Sequence, residues 1–195
     1  MTKELEHPFE PQYFYQGYWG IKKFYTNQSY HHVDVGSSIR WVGALAGMTK
    51  IDYIDIRNIP IKNIDITMIV GDIKKLPYQD KSLQSISSLH VIEHIGLGRY
   101  GDEIDSKGSI KACKELQRVL KKDGNLFISV PCGKERTVEN KHRIFNPDTI
   151  ISYFDELKLI ELSGTIDNGQ FIENIDKILL LNQNYGCGMF WFKRK

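Results

Sequence analysis

The chain has 195 residues, of which 41% are hydrophobic and 26% charged, values that suit one soluble globular domain with a substantial core. A formal net charge of +2 is too small for a nucleic-acid surface, and the basic C-terminal FKRK reads as a solvated end. The opening MTKELEHPFEPQ is too polar for a secretory leader, and no apolar run reaches the roughly 20 residues that span a bilayer.

Three cysteines, Cys113, Cys132 and Cys187, are scattered without a CxxC pair, so there is no zinc or redox signature. An odd cysteine count without a leader points to a reducing, cytoplasmic setting.

Residues 1–30 are rich in aromatics, among them Phe9, Tyr13, Phe14, Tyr18, Trp19 and Phe24. They read as short helices packed on the domain, either as a plain hydrophobic cover or as a lid over a ligand. Residues 31–195 then alternate strands and helices as a single domain. HHVDV is a strand, and IRWVGALAG is a helix closed by Gly47. KIDYIDI, ITMIV and SISSLHVI are three more strands. From Ser109 to Lys122, Ile110, Cys113, Leu116, Val119 and Leu120 recur at helical spacing, with Gly124 as the stop. NLFISVP is a strand. Asn146 and Pro147 cap and open the helix PDTIISYF. KLIELSG and GMFWFKR are the last two strands.

This alternation predicts an α/β fold with a doubly wound, mostly parallel sheet and helices on both faces. Ligands in such folds sit beyond the C-terminal strand ends, at the point where strand order reverses. Four strand ends therefore carry the argument. The first bears Asp34 and Gly36, a glycine that allows close backbone approach before a helix N-terminus. The second bears Asp55, about 20 residues on, the spacing of an acid that binds a ribose diol. The third bears Gly71 and Asp72, and the fourth His90, Glu93 and His94.

At these residues the chain resembles the class I S-adenosylmethionine-dependent methyltransferases. GDIKKLPYQDKSLQSISSLHVIEHI is similar to their GD-x-LPF-x-D-x-SFD-x-V segment leading into VLEH. LQRVLKKDGNLFISVP is similar to their L-x-RVLKPGG-x-L-x-I-x-VP. The order from HVDVGSS through HIGLGRYGD and NKHRIF to YGCGMF resembles one branch, catalogued as a conserved domain of unknown function, from Tyr13 to Phe192. The resemblance implies a Rossmann-like, seven-stranded sheet whose last strand runs antiparallel, and S-adenosylmethionine as cofactor. It implies Asp34 and Gly36 beside the methionine part, Asp55 on the ribose, Asp72 on the adenine amino group with Ile73 against the ring, and His90 near the reacting methyl. The departure is the loop itself: Ser37, Ser38 and Ile39 stand where family members read further glycines. Ser37 and Ser38 offer hydroxyls to the cofactor carboxylate, since a sulfonium cofactor has no phosphate to cradle. The competing reading is a degenerate turn that only connects two elements.

Methyl transfer to oxygen needs a base for the acceptor proton. Glu93, His94 and His142 are the candidates, with His94 open to a second role as a loop scaffold. Arg99 and Tyr100 in the glycine-rich GLGRYG, and Asn140 and Arg143 in ENKHRIF, suit a polar acceptor. His94 with Asp102, Glu103 and Asp105 has hard-metal character, but loop acids without an EF-hand pattern are ordinarily solvated, so no metal is assigned. The expected function is O-methylation of a small carbohydrate-like acceptor, a sugar or sugar nucleotide in surface-glycan (polysaccharide) biosynthesis. The alternative is a catalytically silent nucleoside-binding or glycan-assembly module. A dinucleotide dehydrogenase is disfavoured because the pyrophosphate-binding glycines are missing.

Overall fold

The computed structural model describes residues 9–62, 64–99, 101–138 and 142–195. Tyr100 and Asn140, both expected at the acceptor, lie outside the described residues.

An N-terminal helix α1 (Pro11–Asn27) precedes β1 (His31–Val35), α2 (Ile39–Ala46), β2 (Lys50–Asp55), β3 (Ile66–Val70) and β4 (Leu83–Leu89). A single 3-10 turn, Ile92–His94, follows. Then come α3 (Gly108–Val119), β5 (Leu120–Cys132), the hairpin β6 (Arg136–Val138) and β7 (His142–Ile144), α4 (Pro147–Tyr153), β8 (Leu157–Thr165), β9 (Phe171–Ile172), α5 (Lys177–Leu181) and β10 (Gly186–Arg194).

The main sheet has the order β3-β2-β1-β4-β5-β10-β8-β9. Strands β3 to β5 pair in parallel, and β10 pairs antiparallel with both β5 and β8. The expected doubly wound sheet with an antiparallel final strand is therefore present. The two-residue β9, paired antiparallel with β8, adds an eighth, edge strand.

One apolar layer joins Trp19 and Phe24 of α1 to Trp41, Val42 and Leu45 of α2. On the other face Ala112, Cys113, Leu116 and Val119 of α3 pack with Ile150 of α4 and Leu180 of α5. Strand order reverses between β1 and β4, and this opens the crevice that matters below.

Three boundaries differ from the sequence reading. Among the described residues, the aromatic N-terminal segment forms one 17-residue helix rather than several short ones. Trp19 anchors it: the ring is fully buried and Nε1 donates to Glu161 Oε1 at 3.0 Å. Lys23 Nζ donates to the other Glu161 oxygen at 2.5 Å. A Cβ on Gly20 would sit 2.6 Å from the Trp41 ring, so only glycine lets α1 lie this close to α2. Second, α3 stops at Val119 rather than at Lys122, because Leu120 turns extended to bury its side chain. Gly124 is instead where backbones crowd, a Cβ there meeting Lys121 O at 2.8 Å. Third, β4 ends at Leu89, because His90 takes a left-handed φ of 53°.

Candidate active site

The crevice at the reversal point is an open cleft lined by Gly36, Asp55, Arg57, Ile73, His90 and Val91, among others. Gly36 has φ +71°, and a Cβ on it would lie 3.1 Å from Val91. Both facts require glycine, since this left-handed conformation is strained for any other residue and Val91 is itself a wall of the cleft. Gly71 is similarly close-packed, and a Cβ on it would lie 3.1 Å from Ile54.

Asp55 faces the cleft with its carboxylate already engaged. Arg57 donates from its backbone nitrogen (2.8 Å) and Nε (2.9 Å) to Oδ1 and from Nη2 (2.8 Å) to Oδ2, while Tyr53 Oη donates to Oδ2 at 3.0 Å. Burial pushes this carboxyl up, but the Arg57 bonds outweigh it and hold the group below the usual carboxylate range. Asp72 sits at the rim, half-exposed, its Oδ1 accepting from Lys74 N at 2.8 Å. Ile73 beside it is buried and forms part of the cleft wall.

Asp34 and Ser37 correct the sequence reading: neither faces the cleft. Asp34 is fully buried. Its Oδ2 accepts from Ser37 Oγ (2.7 Å), Trp41 Nε1 (3.0 Å) and Ser87 Oγ (2.5 Å), and its Oδ1 from Ser37 N (3.1 Å). Ser37 Oγ in turn accepts from Leu89 N at 2.9 Å, so its hydroxyl is spent inside the protein. These two residues brace the loop from behind. Burial raises the Asp34 carboxyl to about 6 against the opposing bonds from Ser87, Ser37 and Trp41. The same network continues to His32, whose ring nitrogens meet Ser85 Oγ at 2.7 Å and Ser87 Oγ at 2.8 Å. Burial, with His31 nearby, drives the His32 imidazole down to about 3.

A second group of side chains lies past the end of β4. His90 Nδ1 is 2.9 Å from Glu93 Oε1, and His90 Nε2 is 3.4 Å from Cys187 Sγ at the start of β10. Burial lowers the His90 imidazole, but Cys187 and Glu93 outweigh it and hold it well above the ordinary histidine range. Glu93 is 1% exposed, and among the described residues its Oε2 has no hydrogen-bond partner. His94 Nε2 lies 3.8 Å from Glu93 Oε1, and Arg99 Nη1 lies 3.3 Å from His94 Nδ1. The His94 and His142 rings are 6.3 Å apart, and Tyr185 lies 5.2 Å from His142. Burial and the neighbouring His94 lower the His142 imidazole. From α1, the Tyr13 ring lies over His90 at 5.1 Å.

Arg143 is a further correction. It does not point at a pocket but donates from Nη1 to Ile95 O (2.6 Å) and Ser109 Oγ (3.0 Å), tying the loop after the 3-10 turn to α3. The loop acids are used in the same way. Asp102 Oδ2 accepts from Gly96 N at 2.6 Å, and Asp105 Oδ2 pairs with Lys111 at 2.8 Å. Among the described residues no three His, Cys, Asp or Glu side chains gather as a metal site.

The sequence reading missed Arg57, Cys187 and Tyr185. Arg57 had a local signal, a cation two residues beyond the strand-end acid. Cys187 and Tyr185 had none, because β5–β10 register, not nearby sequence, carries them to His90 and His142.

The family model described as Caenorhabditis protein of unknown function, DUF268, matches residues 33–164. The chain belongs to the DUF268 family. No curated protein matches it. Among solved structures, the DUF268 chain is similar to the N-methyltransferase NodS from Bradyrhizobium japonicum WM9 in complex with S-adenosyl-L-homocysteine. The TM-score is 0.66 at 13% identity, covering 97% of this chain and 89% of that one. It is also similar to the [4+2]-cyclase SpnF (TM-score 0.67, 10% identity, 99% and 84% covered) and to YcgJ from Bacillus subtilis (TM-score 0.63, 13% identity, 93% and 99% covered). At such identity the likeness is one of fold, and the fold is that of the class I S-adenosylmethionine-dependent methyltransferases.

Proposed function

We propose that this DUF268 protein is an S-adenosylmethionine-dependent methyltransferase that O-methylates a small polar acceptor, a sugar or sugar nucleotide of surface-glycan synthesis, in the cytoplasm. The observation that carries this reading is the meeting of Gly36, Asp55, Ile73 and His90 in one cleft at the reversal of strand order. NodS, with the same fold, is described in complex with S-adenosyl-L-homocysteine. The residues fit such a ligand: glycine is obligatory at position 36, an acid follows at the second strand end, and an apolar wall stands beside Asp72.

Asp55 would hold the ribose hydroxyls once Arg57, whose side chain is 61% exposed, swings aside. Ile73 would cover one face of the adenine and Asp72 would accept from its amino group. The bound cofactor supplies an electrophilic methyl group on a sulfonium. The rest of the work falls to the chain. Glu93 Oε2, buried and without a partner among the described residues, is suited to accept the acceptor's hydroxyl hydrogen. His142, kept neutral by its lowered affinity for protons, is a competent base, and His94 stands between the two. Arg99, with Tyr100 and Asn140, is assigned to acceptor contacts. Of the N-terminal segment, residues 9–30 act as a cover whose Tyr13 shields His90, and residues 31–195 are the transferase domain.

A silent nucleoside-binding module is the second reading, favoured by the complete engagement of Asp55 by Arg57 and Tyr53. Calorimetric titration with S-adenosylmethionine separates the two in stages. Micromolar binding is expected, and Asp55→Ala is expected to weaken it about a hundredfold, the scale of a lost charge-assisted bond pair. S-adenosylhomocysteine is then expected to accumulate with one member of a sugar panel. Binding without turnover selects the silent module, and no binding ends both readings.

A further inference from the structure

Cys187, His90 and Glu93 have the arrangement of an activated nucleophile. Glu93 Oε1 at 2.9 Å fixes the proton of His90 on Nδ1, which leaves Nε2 facing the Cys187 sulfur at 3.4 Å. The competing partner of the thiol, Gly188 O, is farther, at 3.8 Å. His90 is held in this position at a cost, with a φ of 53° that a non-glycine residue seldom adopts. Two segments far apart in sequence, the end of β4 with its 3-10 turn and the start of β10, build the set, and His90 is also a wall of the open cleft. Among the described residues the second, buried Glu93 oxygen has no hydrogen-bond partner, so the set is not a closed structural network there. Facing it from the packed elements are Tyr13 on α1, Cys132 on β5, His94 in the 3-10 turn, Arg99 beyond it, His142 on β7 and Tyr185 before β10.

We propose that Cys187 is a nucleophilic thiol, served by His90 as base and Glu93 as its orienting partner, and that the site takes a soft, saturated carbon bearing a leaving group. In the reaction the sulfur pair forms a carbon–sulfur bond, the leaving group departs with its bonding electrons, and the thiol proton stays on His90 Nε2. Cys187 is fully buried and Tyr13 of α1, itself 52% exposed, lies against its partner His90, so Tyr13 is assigned the role of lifting to admit the carbon. This inference does not depend on the cofactor reading, because the triad stands on geometry alone.

The test uses iodoacetamide on the native chain at neutral pH, with peptide mass spectrometry to locate the carbamidomethyl group; iodide is the leaving group. Cys187 is expected to be modified first, well ahead of buried Cys113 and Cys132. Tyr13→Ala is expected to speed the reaction several-fold by opening access. His90→Gln is expected to slow it at least tenfold in both the parent and the Tyr13→Ala background, a common factor that marks chemistry rather than exposure. A Cys187 that stays unmodified in the native Tyr13→Ala variant yet reacts when the chain is unfolded in urea would overturn the proposal. An unchanged rate in His90→Gln would do the same.

Discussion

The two halves of the site are built differently. On the β1–β3 side each cleft residue is the tip of one strand, and behind the tips lies a buried polar network of Asp34, Ser37, His32, Ser85 and Ser87. On the β4–β10 side the residues arrive from α1, the 3-10 turn, β7 and β10, and they are held together by packing between those elements. The first half is held by hydrogen bonds inside the sheet, the second by packing between separate elements. Damage to long-range packing should therefore leave the first half standing, whereas damage to the polar network should be felt as a dependence on pH.

The largest test of that contrast is Trp19→Ala. Removing a fully buried indole and its bond to Glu161 is expected to cost about 3–5 kcal/mol in urea denaturation. Affinity for S-adenosylmethionine in the surviving folded protein is expected to stay within about twofold, because Trp19 lines no part of the cleft and its own bond goes to Glu161. A parallel collapse of cofactor binding would break the contrast.

The second test concerns the polar network. His32 binds protons less readily folded than unfolded, so as pH falls from 6.5 toward about 3 it removes stability. Asp34 binds them more readily folded, so as pH falls from about 6 toward 3.8 it adds stability. Each of the two opposing contributions is of order 2–3 kcal/mol between about pH 6 and pH 4, since a proton held differently by the two states changes stability by about 1.4 kcal/mol per pH unit. The pH slope of the parent's urea midpoint across that range is expected to lie between those of His32→Gln and Asp34→Asn. His32→Gln should grow more stable toward acid, and Asp34→Asn less stable. Parallel slopes in all three proteins would mean that the network does not titrate as the burial implies.

The smallest effect is expected from Gly36→Ala. The left-handed backbone and the Val91 contact together are worth about 1–2 kcal/mol, so cofactor affinity should drop about tenfold. Alkylation of Cys187 should keep its rate, since the methyl added at position 36 meets Val91 and neither Cys187 nor Tyr13. A coupled change in both would join the two halves again.

The same contrast explains how much was legible from the sequence. Gly36, Asp55, Asp72 and His90 stand where an apolar run stops, and a strand end in a parallel sheet already has a place in space. The mostly parallel, doubly wound sheet followed from the alternation of elements. Asp34 was misread because β1 is buried on both faces from His32 onward, so alternation could not tell an inward acid from a cleft acid. Ser37 was misread with it, since the hydroxyl offered to a ligand is the partner Asp34 requires. Arg143 looked like a ligand cation, yet the loop over α3 needed a donor for the Ile95 carbonyl. Cys187 could not be paired with His90 by any spacing rule across 97 positions.

The insertion of β10 between β5 and β8 has a consequence for how the molecule is made. A ribosome delivers β8 and β9 before the strand that connects them to the rest of the sheet. Until β10 arrives, Leu162 and its neighbours have no edge to join, and the β5 edge is open to any passing extended peptide. The final strand therefore closes the sheet like a keystone, and the nucleophile, its base and its aromatic roof come together only in that last act of folding.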